Sequence, residues 1–328
     1  MSSLTVYPPP IPKMTAIIET RGLTRDFKDN RAVNALDLSI QAGELFGLVG
    51  PDGAGKTTTL RLLAGLLYIT EGSATIVGND LAGESEAIKS KIGYMAQEFS
   101  LYAKLSVLEN LTFFAELYDV TPRERKERME RLLTFAGLTE FEDRRAVHLS
   151  GGMQKKLALA CTLIHQPPIL LLDEPTTGVD PVSRREFWNI LTELHLNGTT
   201  IIVSTPYMDE ADRCSRVGLM YAGKLVICDT PQHIRSQLEG ELIEIFPEDW
   251  RAAHQLVKTL PGVLEVQTYG ESLHLFVDCG EKRLRQIKKS LDKHEIAYTG
   301  ARLAPTRMEE AFISLIHGME IDTEKPAG

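Results

Sequence analysis

A glycine-rich segment at residues 50–57 restricts the possible folds of this chain more than any other feature. It reads Gly-Pro-Asp-Gly-Ala-Gly-Lys-Thr and matches the pattern GxxxxGK[ST] in full. A buried-strand run, ELFGLV, precedes it, and an apolar helical run, TTTLRLLAGLL, follows it. The backbone N–H groups of such a loop and the helix N-terminus point at phosphate oxygens. The segment therefore predicts an α/β fold with a phosphate-binding loop, against the weaker alternative of a glycine-rich turn that matches by chance.

The loop also predicts the role of individual residues toward a nucleoside triphosphate. We expect Lys56 to reach the β- and γ-phosphates and the Thr57 hydroxyl to ligate Mg²⁺. The predicted phosphate-binding residues are Gly50, Pro51, Asp52, Gly53, Ala54, Gly55, Lys56, Thr57 and Thr58.

A second apolar run, Ile-Leu-Leu-Leu at residues 169–172, ends in the carboxylates Asp173 and Glu174. Beside a phosphate-binding loop, Asp173 can hold the Mg²⁺ shell and Glu174 can polarise the attacking water as general base. The alternative is a buried strand with an acidic end, which is common when it occurs without such a loop.

A third motif, Leu-Ser-Gly-Gly-Met at residues 149–153, precedes the helical run KKLALACTLI. Ser150 suits a helix N-cap, so the motif can be read as a helix start alone. Gly151 and Gly152 also leave backbone amides uncovered at the positive end of a helix, which is a receptor for phosphate.

These three motifs together resemble the nucleotide-binding subunit of an ABC transporter, over about residues 15–235. The resemblance implies a P-loop NTPase fold of the ABC type, with a mixed sheet and an inserted helical subdomain, that binds ATP and Mg²⁺ and acts as an ATPase. In that family two cassettes dimerise head to tail, and each ATP lies between one P-loop and the LSGG segment of the other cassette. The implied partners are a second nucleotide-binding domain, in a homodimer or heterodimer, and a separate transmembrane permease.

The resemblance also assigns roles to three residues outside these motifs. Gln97 matches the loop that senses γ-phosphate and contacts the membrane partner, so it joins Thr57 and Asp173 as a metal-site residue. Phe27 matches the aromatic residue that stacks on adenine, although a core aromatic is the alternative. Asp180 matches the loop that communicates across the dimer. The candidate catalytic residues are Glu174, Gln97 and Asp173.

Pro206, in Ser-Thr-Pro-Tyr-Met at residues 204–208, departs from the family pattern. The family usually places there a histidine that contacts the γ-phosphate, whereas proline has neither a side-chain donor nor a backbone N–H. One reading is a slow site on this P-loop within an asymmetric dimer, and the other is a homodimer in which Glu174 suffices. Asp52 and Val179 are milder departures.

Composition shifts and turn signals predict four segments. They are a flexible tail at 1–14, a nucleotide-binding domain at 15–238 with its helical subdomain at about 100–160, a small α+β ferredoxin-like domain at 239–318, and a tail at 319–328. The order strand, helix, strand, strand, helix, strand after residue 240 predicts the ferredoxin-like module. The ending MEEAFISLIHG resembles ATP-binding subunits of ABC-2 type drug exporters, or equally reflects ordinary domain packing.

Charge and hydropathy exclude several classes of function. The chain has 36 basic and 45 acidic residues, a net charge of −9, which argues against nucleic acid as a partner. Its four widely spaced cysteines predict reduced thiols, and no segment predicts a signal peptide or a membrane span. We expect a cytoplasmic protein that is peripheral on the inner face of the membrane. The alternatives are a non-transport ABC ATPase on ribosomes or DNA and a P-loop kinase, for which LSGGM has no purpose.

Overall fold

The computed structural model describes residues 16–28, 30–98, 101–237 and 240–323, with side chains as far as 316, so the predicted tail at 1–14 lies outside the described residues. The strands, numbered along the chain, are β1 Ala16–Phe27, β2 Asn30–Gln41, β3 Leu45–Val49, β4 Glu71–Ile76, β5 Asn79–Asp80, β6 Ile92–Met95, β7 Ile169–Asp173, β8 Thr200–Thr205, β9 Arg216–Tyr221, β10 Lys224–Asp229, β11 Glu241–Pro247, β12 Val263–Tyr269, β13 Ser272–Val277 and β14 Tyr298–Ala304.

The helices are α1 Lys56–Leu63, α2 Ser85–Lys89, α3 Val107–Leu117, α4 Pro122–Ala136, α5 Gly151–Leu163, α6 Pro181–Leu196, α7 Met208–Ala211, α8 Pro231–Ser236, α9 Trp250–Val257, α10 Gly280–Lys293 and α11 Met308–Thr323. Within the described ranges, none of them has the length and apolar content that crossing a bilayer requires.

The chain divides into two compact units between Thr230 and Pro231. The predicted boundary after residue 238 therefore lies eight residues too late. The physical reason is helix α8, which packs on α11 of the second unit and buries Ile234.

A six-stranded sheet in the order β10-β9-β3-β8-β7-β6 forms the centre of the first unit. Its inner strands run parallel, and only β10 pairs antiparallel with its neighbour. Strands β3, β7 and β8 are buried along their whole length. Continuous apolar runs of this kind are typical of parallel strands that are covered on both faces, as the sequence predicts.

An antiparallel sheet in the order β2-β1-β4-β5 completes the cassette core. Its inward side chains, such as Ile18 and Ile40, share one hydrophobic cluster with Leu60 of α1 and Ile202 of β8. Helix α1 is thereby fixed between the two sheets, which positions the loop that precedes it.

Helices α3, α4 and α5 form the inserted helical segment between residues 107 and 163. Ser106 begins α3 with a complete capping box, and Thr121 caps α4 with Pro122 in its first turn. The charged run in α4 forms ion pairs along the helix, with Arg128 on Glu124 and Arg131 on Glu127. The run thus forms a charged helix face whose basic and acidic side chains pair with each other.

The second unit has the predicted split βαβ topology. Its antiparallel sheet has the order β12-β13-β11-β14, and α9 and α10 pack over one face on a core that includes Ile243, Val257 and Ile287. Helix α11 continues to Thr323. Residues 319–323 are therefore helical, which corrects the prediction of a tail from 319, and residues 324–328 lie outside the described part.

His165, just after α5, is expected to make the first unit sensitive to mild acid. Its ring stacks on Tyr118 at 3.8 Å between centroids, and Nε2 lies 3.3 Å from the Ile92 carbonyl oxygen. Burial lowers the pKa of His165 from 6.5 to about 4. The unfolded chain therefore binds a proton here between these two pH values and the folded chain does not, so the free energy of unfolding falls as pH falls.

Urea unfolding of wild type and His165→Phe at pH 7 and pH 4.5 measures this contribution. We expect the wild type to lose about 2 kcal/mol more than the variant between the two pH values, after allowance for the partial exposure of the ring. Equal losses in both proteins would mean that His165 titrates normally in the folded state.

Candidate nucleotide-binding and catalytic site

The sheet brings the separate sequence motifs to one edge. In the parallel ladders, Val49 at the end of β3 is opposite Thr205 of β8, and Asp173 at the end of β7 is opposite Ser204. Strand β6 pairs with β7 and leads to Gln97. Ligands of open α/β sheets bind outside the carboxyl ends of the strands, and the P-loop, the carboxylate pair, Pro206 and Gln97 all follow such ends.

The P-loop is closed around the Lys56 ammonium. Its Nζ donates to the carbonyl oxygens of Gly50 at 2.9 Å and Pro51 at 3.0 Å. Gly55 precedes α1 with φ of 101°, and a Cβ there would lie 2.4 Å from the Ala32 carbonyl oxygen. Only glycine fits this position, and its conformation leaves the first amides of α1 open to the cleft.

Thr57 and Asp173 form the candidate Mg²⁺ site. The Thr57 hydroxyl donates to Asp173 Oδ1 at 2.9 Å, and the Ser204 hydroxyl donates to the same oxygen at 2.7 Å. Tyr94 donates its hydroxyl to Asp173 Oδ2 at 3.3 Å. Mg²⁺ prefers hard oxygen ligands and usually combines one or two protein groups with waters and substrate phosphates, so one hydroxyl and one carboxylate suit this ion.

Glu174 is held by a set of contacts that includes the P-loop lysine. Its Oε1 lies 3.3 Å from Lys56 Nζ, and the two side chains are 6% and 3% exposed. Gln97 Nε2 donates to Glu174 Oε2 at 2.8 Å, and Thr177 donates its hydroxyl to the same oxygen at 3.2 Å. The general-base candidate is thus paired with the cation that the resemblance assigns to phosphate.

The backbone of Glu174 is also unusual, with φ of 45°. Its N–H donates to Ser204, whose hydroxyl oxygen is 3.0 Å away and whose carbonyl oxygen is 3.2 Å away. Left-handed backbone at a residue other than glycine is costly and is concentrated at functional sites. The turn aims the carboxylate from the strand end toward Lys56.

These groups face an open cleft of about 830 Å³, a volume within the range of small-molecule sites. Phe27 lies at this cleft and is 40% exposed, so it is not the core aromatic of the alternative. The Arg25 guanidinium lies 4.5 Å from the centre of its ring. The predicted residues that line the cleft are Phe27, Asp52, Gly53, Ala54, Gly55, Lys56, Thr57, Thr58, Gln97 and Glu174.

The structure does not bring Ser150, Gly151, Gly152 or Asp180 to this cleft. Ser150 caps α5 by accepting from the Met153 N–H at 3.3 Å. Asp180 caps α6, and its hydrogen bonds with Ser183 lower the pKa of the carboxyl. A Cβ on Gly152 would lie 2.5 Å from Ser183, so the two helix starts are close together.

Pro206 lines the same cleft as Glu174 and Thr177. It follows β8 directly, and the next N–H, that of Tyr207, donates to the Thr205 hydroxyl oxygen at 3.1 Å. Pro206 itself offers the cleft no hydrogen-bond donor.

Four residues of the site were not predicted from the sequence. Ser204 holds both Asp173 and Glu174, Thr177 bonds Glu174, Tyr94 bonds Asp173, and Lys155 donates to the Gln97 carbonyl oxygen at 2.7 Å. Ser204 had a sequence signal, because TIIVST is a buried strand that ends in hydroxyl residues. Lys155 had none, because its partner is 58 residues away.

Residues 33–177 match the family model described as ABC transporter. The probable multidrug ABC transporter ATP-binding protein YbhF of Escherichia coli (strain K12) is 41% identical over 323 residues, which are 95% of this chain and 54% of YbhF. The chain thus spans about half the length of YbhF. The daunorubicin/doxorubicin resistance ATP-binding protein DrrA of Streptomyces peucetius is 32% identical over 92% of this chain and 92% of its own length.

Two further proteins extend the comparison. The Nod factor export ATP-binding protein I of Sinorhizobium fredii is 35% identical over 92% of this chain and 87% of its own. Among solved structures, the ATP-binding cassette MJ0796 in a dimeric post-hydrolysis state with ADP and Pi has a TM-score of 0.60 at 27% identity, over 65% of this chain and 98% of that one. The α/β P-loop fold and the resemblance drawn from the three motifs are confirmed: this chain belongs to the ABC transporter ATP-binding family and carries an ABC ATPase cassette.

Proposed function

We propose that this chain binds and hydrolyses ATP and couples both steps to export through a separate membrane permease. The observation that carries the proposal is the buried pair of Lys56 and Glu174, which lies beside the Thr57–Asp173 hydrogen bond in one open cleft. The names of YbhF, DrrA and the Nod factor protein support export as the direction of transport.

Nucleotide entry rearranges the lysine. The Lys56 ammonium pairs with the Glu174 carboxylate and donates hydrogen bonds to two loop carbonyl oxygens. A triphosphate offers several negative oxygens at the same place, and a buried ammonium interacts more strongly with these than with one carboxylate. Lys56 then turns to the β- and γ-phosphates and Glu174 becomes free to act on water.

Hydrolysis follows from the freed carboxylate. Glu174 orients a water molecule, accepts its proton as the oxygen attacks the γ-phosphorus, and ADP leaves with the electron pair of the broken bond. Bound Mg²⁺ supplies neutralisation of the phosphate charge. Thr57 and Asp173 would hold that ion, while Ser204 fixes the orientation of the Asp173 carboxylate. Gln97, whose Nε2 donates to Glu174, would offer its side-chain oxygen to the same ion.

The LSGG segment points to a second cassette as partner. Ser150, Gly151 and Gly152 begin α5 away from this chain's own cleft, with α5 amides at a positive helix end. We propose head-to-tail pairing, in which these amides receive the γ-phosphate bound by the other P-loop. Asp180, at the neighbouring start of α6, would then lie at the contact between cassettes.

Pro206 makes the site on this P-loop a slow one. A histidine at this position would donate a hydrogen bond that stabilises charge on the γ-phosphoryl group. Losing a single donor of this kind lowers the rate by roughly 10²–10³-fold. The efficient site of the pair is then formed by the LSGG segment of this chain and the P-loop of a cassette that has the histidine.

A groove beside the ATP cleft suits the permease. It has a volume of about 550 Å³, and its walls include Leu66, Tyr94, Leu117 and Tyr118. Leu66 and Leu117 are 54% and 60% exposed, which is unusual for neighbouring large apolar side chains. Tyr94 bonds Asp173 from this groove, so a docked helix of an ABC-2 type permease would sense the nucleotide site. We accordingly propose that the chain is cytoplasmic and peripheral on the inner face of the membrane.

ATP-driven pairing of Glu174→Gln tests the proposal. Blocking hydrolysis is expected to trap a dimer in ATP but not in ADP, because the γ-phosphate contacts both cassettes. Light scattering measures the mass of the variant alone and mixed with a histidine-containing cassette of the same transporter. Ser150→Arg alters the exposed N-cap of α5 in the LSGG segment, away from the chain's own P-loop. This variant is expected to abolish the dimer. A monomer in both samples, the variant alone and the mixture, with ATP bound, would contradict the proposal.

A further inference from the structure

Lys155 links the helix that carries LSGG to the catalytic pair of its own cassette. It is the fifth residue of α5, about one turn after Gly151 and Gly152. Its Nζ donates to the Gln97 carbonyl oxygen at 2.7 Å, and the Gln97 amide in turn donates to Glu174 at 2.8 Å. An unbroken path of two hydrogen bonds thus joins α5 to the general-base candidate.

The surroundings of Lys155 differ from those of an ordinary surface lysine. The side chain is only partly exposed, and burial lowers its pKa, while the charges of Asp173 and Glu174 act in the opposite direction. Lys156, the next residue, points elsewhere and pairs with Glu186 on α6. The two adjacent lysines of α5 therefore contact different segments. Lys155 contacts Gln97 at the site, whereas Lys156 contacts α6.

Gln97 needs such a support. It follows the short strand β6 by two residues, in a segment without secondary structure. Its side chain contacts Glu174 through a single hydrogen bond, so a small displacement of the backbone moves the amide out of reach. A charge-assisted bond to a carbonyl oxygen is among the stronger local restraints available to such a loop.

We infer that Lys155 is a positioning residue that fixes Gln97 against Glu174 and makes this contact depend on the position of α5. The inference deepens the proposed function, on which it rests. A second cassette that seats its ATP on the first turn of α5 would thereby change the Gln97–Glu174 contact in this cassette. The two ATP sites of a pair are then coupled through Lys155.

Amide hydrogen exchange tests the positioning independently of catalysis. In the nucleotide-free protein, Lys155→Met is expected to speed amide exchange in the segment around Gln97 by roughly tenfold, the effect of losing one such hydrogen bond. Lys155→Arg should restore protection, and Lys156→Met, which removes the same charge one residue away, should leave the segment unchanged. Unaltered exchange in Lys155→Met, or an equal increase in Lys156→Met, would overturn the inference.

Steady-state kinetics then tests the path through Gln97. Lys155→Met is expected to lower kcat by roughly tenfold with little change in KM, because Lys155 does not line the cleft. In a Gln97→Ala background the same change should have no further effect, since the amide that Lys155 positions is gone. Additive losses would overturn the inference. If no preparation, Pro206→His included, hydrolyses ATP, the proposed function fails while the exchange experiment still decides the role of Lys155.

Discussion

Pro206→His is expected to raise the steady-state ATPase rate of this chain by roughly 10²–10³-fold. Pro206 lines the cleft beside Glu174 and Thr177 and directly follows strand β8, whose register with β3 fixes its place near the P-loop. A histidine side chain there supplies a donor toward the γ-phosphoryl group at the moment its charge develops. The measurement is phosphate release at saturating ATP and Mg²⁺.

Pro206→Ala is the matched control. Alanine restores the backbone N–H but adds no side-chain donor, so its rate should stay near that of the wild type. A rate in Pro206→Ala as high as in Pro206→His would show that the ring of proline, and not the missing donor, limits the reaction. An unchanged rate in Pro206→His would show that the site does not need this donor.

Glu174→Gln is expected to lower the hydrolysis rate by about 10²–10⁴-fold, the usual contribution of a general base. Glutamine keeps the shape and can still contact Gln97 and Thr177, but it cannot accept a proton from water. ATP binding should persist, because Gly53, Gly55 and Thr57 are untouched. Fluorescent-nucleotide titration and single-turnover hydrolysis separate the two effects.

Glu174→Gln is also expected to change the thermal stability of the protein. It leaves Lys56 buried without its carboxylate, and losing one partner of a buried pair is strongly destabilising. We expect a lower melting temperature without nucleotide and a larger increase on adding ATP than in the wild type. Thr177→Val, which removes only a hydroxyl contact to Glu174, should change both quantities far less. Wild-type hydrolysis in Glu174→Gln would exclude Glu174 as the base.

Local patterns account for the parts of the site that could be predicted. The P-loop and the Asp173–Glu174 pair each combine a motif of fixed spacing with a continuous buried strand, so fold class and chemistry follow from a few consecutive residues. The second unit was predictable for a similar reason, since turn residues separate its strands and helices clearly.

Other features depend on contacts between distant segments. Ser204 supports Asp173 only because β8 lies beside β7, and Lys155 meets Gln97 only because α5 packs near β6. Helix α8 reads as a continuation of the cassette, yet its Ile234 is buried in the second unit, which displaced the predicted boundary. The ion pair between Lys56 and Glu174 was also not predicted. Each motif predicts how its own residue acts on ATP, and neither motif predicts a contact between the two residues.

The roles proposed for Glu174 and Pro206 are tested most directly by the ATPase rate of Pro206→His with and without Glu174→Gln in the same chain. If Glu174 is the base of this cleft and Pro206 withholds the donor that limits the rate, Pro206→His gives a large gain. That gain disappears completely in the double variant. A double variant that hydrolyses ATP as fast as Pro206→His would contradict these roles, because the gain would then arise without the Glu174 carboxylate.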